Sequence, residues 1–259
     1  LLWQVEIQPF HGRSGSVATV FLADLDGDGD FEVALGSDNH HYYALDGDGT
    51  ELWRTNTVHA STQGAAGDID GDERDEIVAG TEYYWPKLLD DNGKVLPGVT
   101  GGPNWPTAGV VRVGEKRAAA FGSDDGRLAL VDNAGGLYME ANLGGTVTAV
   151  VGLAPDAGGA TVVAASESAS VYGFADDGEL LWRTQLPERV TGLTTLNTSV
   201  AVACDDGTVY LLGPGGEILA GNRWPGTMVG PIASGDLRGA GSAAVVAGCG
   251  TRVVALEVN

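Results

Sequence analysis

The sequence predicts an all-β chain, a six-bladed β-propeller with four antiparallel strands in each blade. Three observations carry that expectation: a glycine-rich composition, a recurring apolar run that ends in a small residue, and a spacing of that run that uses up the whole chain. Glycine accounts for 41 of 259 residues. Short Val, Ala and Leu runs lie between the glycines, the pattern of many short strands joined by many turns. The runs "EVALGS", "EIVAGT", "AAAFGS", "VVAAS", "VAVAC" and "VVAGC" end at Ser37, Thr81, Ser123, Ser166, Cys204 and Cys249. Successive steps are 44, 42, 43, 38 and 45 residues, and the step that wraps from Cys249 past the chain end to Ser37 is 47. Six equivalent units therefore fill the sequence.

Within a unit the elements follow one grammar. An apolar run ("SVATVFLAD") leads into an acidic or Gly-rich loop, then come a second run ("FEVALGS"), a third ("HYYALD"), a turn ("GDGT") and a fourth ("ELWRT"). Runs of this length split by Asp-Gly turns are strands and hairpins, and four per repeat make a propeller blade. The blades fall at roughly 17–57, 58–100, 105–143, 146–186, 189–224 and 227–259, the last completed by residues 1–7. That completion rests on the termini. The sixth unit stops at "RVVALEVN", its third strand, while "LLWQVEI" places Trp3 where "ELWRTNT" has Trp53 and "LLWRTQL" has Trp182. The N-terminal strand is thus expected to close the ring, which removes exposed sheet edges. A chain that opens directly on a strand is read as having a processed or trimmed end, and no signal peptide is visible.

The net charge of −21, with only Lys87, Lys94 and Lys116 as lysines, argues against nucleic acid or an anionic membrane surface as partner. It suits cation binding, secretion or a high-salt habitat. No apolar run approaches the roughly 18 residues of a membrane span, so membrane insertion is not expected. Cys204 and Cys249 hold equivalent places in neighbouring blades, too far apart for a disulfide. They are expected to be small buried thiols.

Strands A to D run from axis to rim, which puts A–B and C–D connections on one face and B–C and D–A connections on the other. Two A–B loops are acidic: "DLDGDGDFE" at 24–32 and "DIDGDERDE" at 68–76. In the first, Asp24, Asp26 and Asp28 stand at places 1, 3 and 5, Gly29 at 6, Asp30 at 7 and Glu32 at 9. Alternate oxygen donors around a tight glycine turn suit calcium, which takes six to eight oxygens. Place 7 offers its backbone carbonyl. The second loop repeats Asp68, Asp70, Asp72 and Glu76, but puts Glu73 in place of the glycine and Arg74 at place 7. Other acidic pairs, Asp46–Gly49, Asp124–Gly126, Asp176–Gly178 and Asp205–Gly207, sit between strands as hairpin turns.

The motif D-x-D-G-D-G-x-x-D/E followed by "VALGS" or "IVAGT" resembles the FG-GAP/VCBS propeller repeats of integrin α-subunits and many secreted bacterial proteins. The later part of the unit, "YALDGDGTELWRT" and "YGFADDGELLWRT", resembles the PQQ-like propeller repeat. The first resemblance implies structural calcium at the acidic loops of blades one and two. Blade six keeps only a remnant, "GDLRGAGSA", and blades three to five have none. Nothing in the sequence supports a bound PQQ cofactor.

The opposite face collects the histidines and exposed aromatics. His11 and His59 fall in D–A loops with Arg13 nearby, and His40 and His41 in the first B–C connection. Blade two replaces its B–C turn with "EYYWPK", giving Tyr83, Tyr84 and Trp85, and Trp105 and Trp224 lie in further D–A loops. Flat aromatic faces suit a glycan or another protein. The leading expectation is a calcium-stabilised, extracellular, cell-surface or periplasmic domain, monomeric, that binds a glycan or protein ligand there. A polysaccharide lyase or hydrolase using His11, Arg13, His40, His41, His59 and Tyr83 is the alternative, and a structural spacer in a larger secreted protein is the third. No G-x-S-x-G, H-E-x-x-H or phosphate-binding glycine loop is present.

Overall fold

A computed structural model describes residues 2–99, 102–113, 116–153, 159–224, 229–237 and 243–257, with only the backbone at 229–231. Their 23 strands form six antiparallel sheets, each a meander in chain order. This is the architecture of a six-bladed, four-stranded propeller, and it divides into two compact units, Leu1–Ala141 and Asn142–Asn259.

The first unit holds three four-stranded sheets. These are β1 (Val17–Ala23), β2 (Glu32–Ser37), β3 (His41–Leu45) and β4 (Glu51–Asn56); β5 (Ser61–Gly67), β6 (Glu76–Thr81), β7 (Lys87–Leu89) and β8 (Val95–Leu96); and β9 (Thr107–Val113), β10 (Lys116–Gly122), β11 (Arg127–Val131) and β12 (Leu137–Asn142). In the second unit are β13 (Val147–Gly152), β14 (Val162–Ser166), β15 (Ser170–Phe174) and β16 (Leu180–Gln185), then β17 (Val190–Leu196), β18 (Ser199–Cys204), β19 (Thr208–Leu212) and β20 (Ile218–Arg223). A sheet of three described strands follows, β21 (Val229–Gly235), β22 (Ala244–Cys249) and β23 (Arg252–Glu257).

Burial explains the sequence pattern. Every residue of β6 and β14 is buried, and all of β2 except Val33. Such strands are covered on both faces by neighbouring sheets, so they read as continuous apolar runs rather than alternating ones. Outer strands β4 and β16 alternate between exposed and half-buried positions, and the half-buried position carries Trp53 or Trp182. Tyr42, Ile77 and Leu89 pack between the first two sheets with Trp53 at their edge. In the second unit Val163, Val171, Leu193 and Val202 do the same with Trp182.

Those tryptophans tie one blade to the next. The Trp53 indole N–H donates to the Asp91 carbonyl at 2.8 Å in the β7–β8 turn, and Thr55 Oγ1 donates to the Gly93 carbonyl. Trp182 donates to Pro214 at 2.9 Å and Thr184 to Gly216 in the β19–β20 turn. Gly93 and Gly216 have φ of +76° and +82°, and a Cβ on either lies 2.6 Å from the indole. Trp3 makes the same bond to Gly47 at 2.9 Å, against Gly49. The tryptophan correspondence read from the sequence is therefore present. The expected strand at 1–7 differs: residues 2–9 pair in no ladder, being held through Trp3 and Ile7 packed on Leu35 and Leu45.

Cys204 and Cys249 are free and buried. Burial, with Asp206 and Asp205 close by, pushes the Cys204 thiol up to about 12, which keeps it protonated and unreactive. The blade-six remnant extends into residues 238 and 240, outside the described residues.

Candidate functional site

The β1–β2 loop winds around its own carboxylates. Asp24 accepts from the Gly27 and Gly29 amides at 2.9 and 3.1 Å, Asp26 from Asp28 at 3.2 Å, and Asp28 from Asp30 at 2.8 Å. Gly27 and Gly29, at φ +76° and +88°, supply the left-handed turns this winding needs. Glu32 opens β2 and accepts the Leu25 amide at 2.9 Å. One carboxylate oxygen from each of Asp24, Asp26 and Glu32 then lies within 4.8 Å of the others.

The β5–β6 loop repeats the arrangement with Asp68, Asp70 and Glu76, again within 4.8 Å. Asp68 accepts from Gly71 at 2.6 Å, and Glu76 accepts from Ile69 and Asp70 at 2.8 and 3.3 Å. Burial raises Glu76 to about 7, with Asp70 and Asp72 adding to it and the amide bonds opposing. Glu32 is raised for the same first reason. Three hard oxygen donors converging on a point, one of them a buried carboxylate poorly solvated as an anion, form a site that can coordinate a divalent cation.

The carboxylates at places 1, 3 and 9 of the motif gather, and those at place 5 lie outside the grouping. Asp28 and Asp72 turn back on the amides two residues on, of Asp30 and Arg74. The Arg74 side chain pairs with Asp91 at 3.0 Å. Glu73, standing where the first loop has Gly29, adopts φ +72°. A side chain in that region costs about 1–2 kcal/mol, so Glu73→Gly is expected to stabilise the protein by about 1 kcal/mol, read as a higher denaturation midpoint in chelator.

The sequence reading missed Asp75. Its carboxylate accepts the Asp24 amide at 3.0 Å, and its own amide donates to the Asp24 carbonyl at 2.8 Å. The two acidic loops are thereby clasped together. The available signal was the extra acid in "DERDE", where the first loop has Phe31. Asn133 also reaches in, donating to Asp70 at 3.1 Å.

At the other end of β2 and β6 lie the histidines. Phe10 stacks on His11 with ring centroids 4.2 Å apart and meets His41 edge-on at 4.9 Å. His41 donates through Nδ1 to the Asn39 carbonyl at 2.9 Å. His59 sits among Tyr83, Tyr84 and Trp85, at 4.9, 6.3 and 5.7 Å. Arg13 pairs with Glu82 at 3.1 Å. Burial, then the charges of Arg13 and His59, hold His40 below the usual imidazole range, so it is neutral at pH 7. His11, His40 and Val58 have left-handed backbones, φ +48°, +70° and +69°, a region that residues other than glycine use sparsely. Among the described residues the histidines form no three-ligand grouping.

Tyr83, Tyr84 and Trp85 are 43%, 48% and 42% exposed. Trp105, expected on this face, is 3% exposed and packs against Phe121 and Val131, because its short β-bridge to Thr81 draws it into the core. Trp224 belongs to the second unit, half-buried beside Leu196 and Val209.

A family model described as "Outer membrane protein assembly factor BamB" matches residues 43–230. No curated protein matches the chain in sequence. Among solved structures, BBS1N in complex with ARL6DN, soaked with mercury, aligns at TM-score 0.75 with 16% identity over 97% of this chain and 80% of that one. The computationally designed Ika8 protein aligns at 0.74 with 17% identity, covering 98% and 74%. Saccharomyces cerevisiae Sqt1 aligns at 0.72 with 15% identity, covering 88% and 69%. At these identities the likeness speaks to the fold alone.

Proposed function

The chain belongs to the family of the outer membrane protein assembly factor BamB, and on that premise we propose that it is a non-enzymatic, extracytoplasmic binding module for a segment of another protein. Calcium at the two acidic loops stabilises it, in line with the FG-GAP/VCBS-like motif, and it works as a monomeric domain. The exposed cluster Tyr83–Tyr84–Trp85 around His59 carries this reading. Three adjacent large rings, each near half exposed, are what a protein-binding surface uses as anchors. The family description, an assembly factor, favours a polypeptide over a glycan as ligand.

Peptide and glycan arrays probed side by side test it. The expected result is binding to apolar and aromatic peptides that weakens about 10-fold or more in Trp85→Ala, the loss typical of an aromatic anchor. Glycan binding without peptide binding overturns the choice of ligand. Peptide binding indifferent to Trp85→Ala overturns the choice of face.

A further inference from the structure

On the acidic-loop side of the first unit, a cleft of about 240 Å³ runs between the β5–β6 loop and the β9–β10 hairpin. Asp68 and Asp70 line it from the acidic loop and Arg112, Lys116 and Arg117 from the hairpin, together with Asn133, Tyr138 and Asp132, whose carboxylate accepts the Ala134 and Gly136 amides. Three of the chain's 14 basic residues therefore meet in one cleft of a protein with net charge −21. Among the described residues none of the three makes a salt bridge.

Their placement is only partly compensated: burial raises the half-buried Asp75 carboxylate, and the charge of Arg117 favours its ionised form against that burial. Arg117 lies directly opposite Arg112 in the β9–β10 ladder, and like charges facing each other across a sheet destabilise it. The Arg117 guanidinium is 3.2 Å from the Cβ position of Gly67, the residue before the acidic loop, so it overhangs the start of that loop. The remaining wall is acidic and by itself repels an anion.

We propose that this cleft binds an oxyanion, a phosphate or carboxylate group, held between the Arg112–Arg117 pair with Lys116 and a divalent cation on Asp68, Asp70 and Glu76. This rests on the reading of the second acidic loop as a calcium site. The arginine pair supplies forked donors suited to such oxygens. The cation cancels the acidic wall and offers its open coordination positions to the ligand. Binding of the two ions is then coupled, and the coupling is reciprocal.

Isothermal titration of the intact chain with calcium alone, then with inorganic phosphate or succinate in calcium or in chelator, tests the proposal. Calcium is expected to tighten anion binding by about 5- to 150-fold, the usual range for coupled sites. Arg112→Ser with Arg117→Ser is expected to abolish anion binding while leaving the calcium isotherm in place. A stronger response to phosphate than to succinate, or the reverse, identifies the source of the oxyanion. If calcium gives no heat, the cation reading falls and this one with it. If calcium binds but neither anion does, or binding is the same in chelator or in the arginine variant, the oxyanion site alone is overturned.

Discussion

Calcium added to metal-free protein at pH 7.5 raises its melting temperature, and the rise shrinks as the pH is lowered towards 5. At a free concentration a hundredfold above Kd, one site contributes about 2.7 kcal/mol, or roughly 5–10 °C for a chain of this size. The pH dependence follows from Glu76. Its folded value is raised from 4.5 to about 7, so between those values the folded, metal-free protein holds a proton that the unfolded chain has released. Stability from this group is fully present below about 4.5 and is lost as pH rises through 7, a swing of up to about 3 kcal/mol. Calcium holds the carboxylate ionised and removes that loss, so its stabilising effect grows with pH. Glu76→Gln is expected to make the metal-free protein more stable at pH 8, flatten its pH profile, and reduce the calcium response without abolishing it, since Asp24, Asp26 and Glu32 remain. Scanning calorimetry at pH 5, 6.5 and 8, with calcium or chelator, reads all of this. A metal-free protein that gains stability as pH rises from 5 to 8, with no change in Glu76→Gln, sinks the account.

The second large effect is on the interlock between blades one and two. Trp53→Ala removes an indole packed on the Gly93 turn and its bond to Asp91, and is expected to cost about 3 kcal/mol or more. Gly93→Ala attacks the same contact from the other side, placing a Cβ 2.6 Å from the ring on a backbone at φ +76°. It should lose a comparable amount, through strain at the left-handed residue and displacement of the ring. Because both changes break one contact, the double variant should fall well short of the sum, a coupling that urea denaturation of the four proteins measures. Full additivity would mean that Trp53 and Gly93 act independently.

Much of the fold was legible because strands covered on both faces need apolar residues at every position. "EIVAGT" and "VVAAS" therefore announced their burial without help from contacts. The fourth-strand tryptophans could be read too, since "LWRT" recurs at a fixed place. Residues 2–7 show where such reading stops. Trp3 keeps its hydrogen bond, yet whether the backbone joins a ladder depends on pairing geometry that a shared tryptophan does not encode.

At the acidic loops the residue types were visible and the division of labour was not. Asp28 and Asp24 are the same side chain in the same motif. Only the path of the loop decides that Asp24 joins the gathered oxygens while Asp28 serves the Asp30 amide. Trp105 was misplaced because a D–A loop position says nothing of the bridge to Thr81 that pulls it inward. The cleft basic residues were passed over because Arg112 and Arg117 become a pair only once the β9–β10 register sets them opposite each other.

The tryptophan contacts also bear on how such a protein can be taken apart or lengthened. A sequence repeat ends with its fourth strand, but Trp53 and Thr55 complete the hairpin of the repeat that follows, as Trp182 and Thr184 do further on. The unit of inheritance and the unit of mechanical integrity are therefore out of phase. A cut after the first or the fourth repeat severs this interlock, leaving one fragment with a bare indole and the other with an uncovered glycine turn. Repeats shuffled at these two boundaries would join cleanly where a W-x-T strand meets a turn with glycine at the matching place.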